Sequence, residues 1–485
     1  VAVGALSLDA NTTASNNTAV GYASLGANTT GEQNTALGAY ALDANTTGSY
    51  NTALGIHSLG SNTTGGANIA LGQGSLSANT TASYNTAIGL NALTVNTTGG
   101  YNVALGSYAL DANTTAANNT AVGYNSLTAN TTGADNVALG YDSLKANTTG
   151  AYNTALGRSA GTAVTTGVRN TIIGGLSGDA LTDADDNVVL GYFALSSDTL
   201  GSRTVAIGKG ALTTQNFTSA TDTYNTAMGY NAGNQVTTGV RNTFVGSLAG
   251  DGTDDGNENV AVGESALSAN CGSGNTALGR EALKVVTGAY NTSVGYQTGD
   301  NITDGNYNIL VGAGCVPSGA SAEVQIVMGA NATGVANGNF TIGNGATDSN
   351  LVLGATTWTA PSDSRMKEDV ATSTAGISFV NDLRPVTYKW KKEKDLPDSM
   401  DAYVEGSEKR VINDKTNHGF IAQEVKSAID AHPEIKDGFD MWMEKDSDGQ
   451  QRVAPSALVP VLTKAIQELS TQLDAALARI TTLEG

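Results

Sequence analysis

The chain has 485 residues, of which 14% are charged, 6% are aromatic and 60 are Gly. So little bulky apolar material suits a stack of small coils, each closing on its neighbour, better than a conventional packed core. The net charge of −20 gives a surface that repels nucleic acid and anionic lipid, so neither is expected as a partner.

Charge is spread unevenly. Residues 361–485 hold 16 of the 24 Lys+Arg and 22 of the 44 Asp+Glu, which leaves 8 basic and 22 acidic residues, net −14, in residues 1–360. Cys271 and Cys315 are the only cysteines and form neither a disulfide framework nor a zinc pattern. The three histidines, His57, His418 and His432, lie far apart, so no metal or cofactor is expected. No apolar run approaches the roughly 18 residues of a membrane span, and no signal peptide is visible. The chain opens at Val1 inside a repeat, so an upstream part is expected.

Asn-Thr-Ala-Val-Gly at Asn17 recurs in near-copies at Asn34, Asn51, Asn68, Asn85, Asn102, Asn119, Asn136, Asn153, Asn170 and Asn187, always 17 residues on. Thr204 keeps this register. A four-residue insertion moves the next unit to Asn225, and Asn242, Asn259, Asn275, Asn291 and Asn308 follow. Leu25, Leu42, Leu59, Leu76, Leu93, Leu110, Leu127 and Leu144 run in phase, each closely followed by Asn-Thr-Thr. Seventeen residues are too few for a helix–turn–helix repeat. Each unit offers two short β-prone pieces, such as Thr35-Ala36-Leu37 and Ala41-Leu42, with Gly and Asn expected to take the positive φ at corners. The prediction is a mostly β fold: a parallel β-solenoid or β-roll shaft over 1–312. Identical residues stack at about 4.8 Å, so roughly 20 coils make a rod on the order of 100 Å long. The Asn and Thr ladders are expected to be structural. Ice binding would need flat ranks of Thr, and adjacent residues such as Thr29 and Thr30 should point to opposite sides of a strand.

From about residue 175 the pattern loosens. Insertions are expected at Gly178–Asp186, Thr213–Tyr224 and Gly250–Glu258, and loops on a rigid scaffold are where recognition concentrates. Tyr224, Tyr230, Tyr290 and Tyr307 are candidate receptor contacts, or packing residues at coil corners. Asp251–Gly256 resembles a calcium loop, but Val262 stands where its closing Glu belongs, so solvated turns are expected there and at Asp300–Gly305. No carboxylate pair for glycoside hydrolysis stands out. Residues 313–361 read as a tapering β end, with short strands at Ile326, Phe340 and Leu351.

Composition changes at Pro361. Lys and Arg rise, and all three Trp cluster here, Trp358 just before the boundary and Trp390 and Trp442 beyond it. Three motifs follow: Ser362-Asp-Ser-Arg-Met-Lys367, then Asn381-Asp-Leu-Arg-Pro-Val-Thr-Tyr-Lys-Trp-Lys391 as a turn and strand, then His418-Gly-Phe-Ile-Ala-Gln-Glu-Val425 as a strand entering a helix. From Pro455 the chain reads as helix. Leu462, Ile466, Leu469, Leu473, Ala476, Ile480 and Leu483 alternate steps of four and three, the a/d seam of a coiled coil. The alternative is an amphipathic helix docked on its own domain.

The three motifs in this order closely resemble the intramolecular chaperone domain of endosialidase-type phage tail spikes, also found in tail fibres and in the myelin regulatory factor. The repeat is similar to the heads of trimeric autotransporter adhesins, and more so to phage tail-fibre repeats. This resemblance implies a homotrimer in which residues 362–454 form a small α+β chaperone that helps the β-structure fold and then cuts itself off, with residues 455–485 as the coiled-coil helix. The implied scissile bond is Pro361–Ser362. Ser362 would be the nucleophile and Lys367 the general base, with Asp363 and Arg365 as possible support. A hydroxyl needs a base to become nucleophilic, and Lys serves only when neutral. On the six residues alone, a capped turn with a solvated Lys367 is the competing reading. The implied role is a virion tail fibre or spike for host attachment. Its partners would be a host surface receptor, glycan or protein, and other virion tail proteins. The only enzyme activity expected is a single-turnover serine autoproteolysis. Alternatives are a bacterial surface adhesin or extracellular filament with the same chaperone and, further off, a polysaccharide depolymerase spike.

Overall fold

The computed structural model describes residues 1–345, 347–355, 359, 362–400, 402–436, 439–444 and 450–484. Pro361 and Trp358 lie outside the described residues. The chain forms two compact units, Val1–Pro361 and Ser362–Gly485.

The first unit is a parallel β-solenoid. One three-residue strand per coil, such as Thr35–Leu37, pairs in parallel with its equivalent in the next coil, Thr52–Leu54. Repetition extends this ladder into a 22-stranded sheet. In each strand the central residue points inward: Ala36, Ala53, Ala70 and Ala87 are fully buried. Leu42, Leu59 and their equivalents join this core.

Two expectations need correction. The second β-prone piece, Ala41-Leu42, lies in a turn and not a strand. Leu, besides Gly and Asn, takes the left-handed corner, with φ of 53° at Leu42 and 52° at Leu59. An L-residue there costs about 1–2 kcal/mol, and fully burying a Leu side chain returns about 1.5–3 kcal/mol. Gly is required at the corner after the strand. A Cβ on Gly38 (φ +142°) would sit 2.5 Å from the Gly55 carbonyl oxygen.

Two Asn ladders run inside the coils. In the first, the Asn34 N–H donates to Asn17 Oδ1 (2.8 Å) and Asn34 Nδ2 to the Gly48 carbonyl (2.9 Å). In the second, Asn45 Nδ2 donates to Asn28 Oδ1 (2.8 Å) and to the Gly48 carbonyl (3.0 Å). Buried amides must be paired, and stacking identical residues pairs each with the next coil. Thr29 and Thr30 lie in a bend and not on a strand. The Thr29 hydroxyl is spent on the Thr46 carbonyl (3.0 Å), and Thr30 is exposed.

Of the three expected insertions, only Thr213–Tyr224 lengthens a coil, so that Val205 pairs with Thr226. Gly178–Asp186 and Gly250–Glu258 are ordinary 17-residue coils with altered side chains, as the pairs Thr171–Val188 and Thr243–Val260 show. Asp198 anchors the long coil. Its buried carboxylate accepts from Gln215 Nε2 (2.7 Å) and from the N–H groups of Gly201 and Phe217 (both 3.1 Å). Desolvation pushes its pKa up, against these bonds. Asn339–Asn344 still pairs in parallel with Ile326–Ala330, and only then does the ladder turn back, with Thr347–Val352 antiparallel on Asn339–Asn344.

The second unit is α+β. Helix α1 (Ile377–Asp382) leads to strand Val386–Tyr388, which pairs antiparallel with Asn417–Gly419. Helix α2 (Ala422–Ala431) follows, then the hairpin Trp442–Glu444/Gln451–Val453. A 3-10 turn, Pro455–Ala457, opens helix α3 (Leu458–Glu484). Ala375, Phe379, Val425, Ala428, Ile429, Met441, Leu458 and Val461 form one core, so the start of α3 packs on its own unit. A different stripe of α3, with Leu462, Ile466, Leu469, Leu473, Ile480 and Leu483, is 41–85% exposed. Among the described residues no helix is long and apolar enough to cross a membrane.

Candidate active site

Ser362 and Lys367 are five residues apart, a separation that an extended chain would stretch to about 17 Å. The 3-10 turn Ser364–Met366 closes it. Asp363 caps that turn by accepting from the Arg365 N–H (2.8 Å), and the Lys367 N–H closes it on the Ser364 carbonyl (3.2 Å). Lys367 Nζ thereby lies 2.7 Å from Ser362 Oγ.

Arg365 turns to Asp363. Its Nε donates to Oδ1 (3.0 Å) and its Nη2 to Oδ2 (2.5 Å). Hydrogen bonds from the Arg365 side chain and then its backbone hold the Asp363 carboxyl below the usual range. The guanidinium is engaged in this pair. The turn therefore brings together the four described candidate residues: Ser362 with Lys367, and Asp363 with Arg365. The capping that competes with the catalytic reading is present too, and one loop accommodates both.

The contact has the geometry a nucleophile–base pair needs. All four residues are exposed, and Nζ donates to Oγ, whereas a base must accept. Asp369, at φ 53°, turns the chain just after the motif.

Elsewhere, Tyr224, Tyr230, Tyr290 and Tyr307 are 49–58% exposed. Tyr290 and Tyr307 stack between coils (5.1 Å, 9°), and Arg203 and Lys209 lie over Tyr224 and Tyr230. Asp254 in the calcium-like segment accepts from the Thr237 hydroxyl of the neighbouring coil. Among the described residues no cluster of three or more His, Cys, Asp or Glu is placed to hold a metal.

Two polar ties escaped sequence reasoning. Glu468 on α3 accepts from the Ile377 N–H (2.9 Å), 91 residues away. His432 is held between Asp382 Oδ2 (2.8 Å) and Glu434 Oε1 (2.9 Å). Neither the Glu468–Ile377 tie nor the His432–Asp382 tie, 50 residues apart, has a local spacing signal.

Residues 362–432 match the family described as Chaperone of endosialidase. The match opens at Ser362, the residue that opens the second compact unit and contacts Lys367. No curated protein matches the chain.

Proposed function

We propose that this chain is the distal part of a homotrimeric virion tail fibre or spike that attaches to a host-cell surface, and that its C-terminal unit is a self-cleaving assembly chaperone. The observation that carries the reading is the 2.7 Å contact between Lys367 Nζ and Ser362 Oγ, at the first residue of a segment matching the endosialidase chaperone family. Ser362 Oγ attacks the carbonyl carbon of residue 361. The C–N bond breaks, and Lys367 passes the hydroxyl proton to the leaving amine. Water then hydrolyses the ester, leaving a carboxylate at residue 361 and a free amine and hydroxyl on Ser362. Trimerisation times the cut by burying the exposed pair and so favouring the neutral amine. The exposed stripe on α3 supports assembly, since such a seam is covered by equivalent helices. The shaft carries the receptor contacts, and other virion tail proteins are further partners.

Intact mass of the expressed chain beside a Ser362→Ala variant tests this. Two parent fragments split before Ser362, with one full-length variant species, are expected. An uncleaved parent overturns the maturation step and leaves the unit at most a permanent assembly cap. The coil architecture also suits a second reading, a bacterial adhesin carrying the same chaperone. Antibody against residues 1–361 labelling bacterial surfaces in the absence of phage would select it.

A further inference from the structure

Asp198 is the one Asp, Glu, Lys or Arg of the first unit that is buried among the described residues. It stands in the inner column of the coils. From Asn28 to Asn147 that column is Asn in every coil, and Val164 and Leu181 continue it as apolar residues. Asp198 and Gln215 follow, both without exposed surface, and Val236 closes the column over them. The buried carboxylate therefore lies between apolar neighbours, and it faces the one coil that is lengthened.

The donors around it converge on it. Gln215 Nε2 reaches Oδ2 (2.7 Å), and the N–H groups of Gly201 and Phe217 reach Oδ1 (both 3.1 Å). Asn225 Nδ2 in turn donates to Gln215 Oε1 (2.8 Å). No cation joins them. The coil before presents Leu181, while its Asp183, Asp185 and Asp186 accept on the outside from the Thr166 hydroxyl, the Val168 N–H and Arg169. Arg203, on the same coil as Asp198, turns outward to Asp222 of the coil after, and Lys209 lies over Tyr230. The fit is close, since a Cβ on Gly201 would lie 2.1 Å from Asp198 Oδ2. A carboxylate buried without a counter-charge favours its neutral form. Burial is the largest effect on Asp198 and outweighs its hydrogen bonds.

The same carboxylate seats the lengthened coil. Phe217 is buried, and Thr218, Ser219 and Ala220 beyond it are exposed. The Phe217 N–H is held by Asp198 and its carbonyl by the Thr199 hydroxyl (2.8 Å). A two-residue pairing of Gly201–Ser202 with Thr221–Asp222 closes the far side. A proton on Oδ2 cannot face Gln215 Nε2. Turning the Gln215 amide over places Oε1 against the new O–H, and Asn225 Nδ2 keeps the Gly239 carbonyl as its acceptor (2.7 Å). Oδ1 goes on accepting from Gly201 and Phe217. The closed coil thus holds the neutral acid at the loss of one hydrogen bond, but holds the anion only by keeping a charge out of water.

We infer that Asp198 is an acid-tightened latch on the lengthened coil: its protonated form keeps Phe217 and the excursion Thr218–Ala220 seated, and ionisation favours an opened coil in which the carboxylate meets water and Phe217 is bared. The closed form binds the proton more tightly than the open form, so closure gains as pH falls and is lost as pH rises. The device is local to this coil and independent of how the chain assembles or what it attaches to.

Hydrogen exchange of the full native chain tests it. Residues 199–223 are followed at about pH 4.5 and about pH 7.5, corrected for the intrinsic rate at each pH, with the regular coils over 120–152 as reference. Protection of 199–223 is expected to be about tenfold greater at the lower pH, the factor that one pKa unit between closed and open forms supplies, while the reference stays level. Asp198→Asn, neutral and of the same shape, is expected to keep the high protection at both pH values. Asp222→Asn, which breaks only the exposed pair with Arg203, is expected to keep the parent's pH dependence. Equal protection at both pH values in the parent, or less at the lower one, overturns the latch. So does a pH dependence that survives in Asp198→Asn or disappears in Asp222→Asn, and the second of these decides even where Asp198→Asn does not fold.

Discussion

Glu468 of α3 forms the N-terminal cap of α1, its Oε2 accepting from the Ile377 N–H at 2.9 Å. Gly376 precedes that N–H, and a Cβ there would lie 2.3 Å from the same carboxylate oxygen. The terminal helix is thus tied to the first α-helix after the Ser362–Lys367 motif. Glu468→Ala should destabilise the C-terminal unit by about 1–2 kcal/mol, the range for losing a cap with a charged acceptor. Glu468→Gln keeps an acceptor and should cost less. Gly376→Ala should resemble Glu468→Ala because it displaces the same carboxylate. Thermal unfolding of the three variants checks the order, and a silent Glu468→Ala would show that α3 is held by its buried apolar residues, Leu458, Val461 and Ala465, and not by this cap.

His432 couples stability to pH. Its side chain is nine-tenths covered, and bonds to Asp382 and then Glu434 raise its pKa above 6.5. A raised folded pKa means the tie is fully present below 6.5 and is lost as pH climbs through the folded value. Glu434 shifts the other way, held below 4.5 chiefly by His432, so its share is lost as pH falls through its folded value. The C-terminal unit should therefore resist denaturant better at pH 6 than at pH 9, with a second decline below pH 4.5. His432→Gln should flatten the change between pH 6 and 9. An unchanged slope in that variant would exclude the histidine as its source.

The base assignment separates charge from proton acceptance. Lys367→Arg keeps a cation and the reach to Ser362 but has no neutral form at working pH. If Lys367 only pairs with the hydroxyl, this variant still cleaves. If it accepts the proton, cleavage should slow by about 10²–10⁴-fold, the contribution of a positioned base. Arg365→Gln should matter far less, because Arg365 engages Asp363. A time course of fragment appearance by intact mass compares them.

Legibility in the sequence followed the range of each interaction. The 17-residue spacing from Asn17 to Asn187 prescribes the register seen in pairs such as Thr35–Thr52, because stacking identical coils leaves the period no freedom. Ala41-Leu42 misled because Leu serves strands and corners alike. Only the buried site decided, and burial outweighed the left-handed backbone. Gly178–Asp186 looked like an insertion because its side chains depart from the repeat, although its length does not. Ser362 and Lys367 were legible because one turn joins them. Glu468 and Ile377 were not, since nothing near either residue announces a partner 91 positions off.

The inner Asn ladder makes a position-dependent prediction. Mid-ladder, Asn79 Nδ2 donates to Asn62 Oδ1 (2.8 Å), and Asn79 Oδ1 accepts from Asn96 Nδ2 (3.1 Å). At the end of the run, Asn147 Nδ2 donates to Asn130 Oδ1 (2.8 Å), but Asn147 Oδ1 has no hydrogen-bond partner. The next coils place Val164 and Leu181 at the equivalent position, both buried. Asn79→Leu creates a new orphan acceptor on Asn62 and takes a partner from Asn96, which should cost about 1–3 kcal/mol. Asn147→Leu strands Asn130 Oδ1 but removes an acceptor already stranded, and the new side chain meets Val164. It should therefore cost less than about 1 kcal/mol. Hydrogen exchange in the flanking coils resolves the two. Equal losses at both positions would mean that side-chain volume, and not amide pairing, sets the tolerance of the shaft interior.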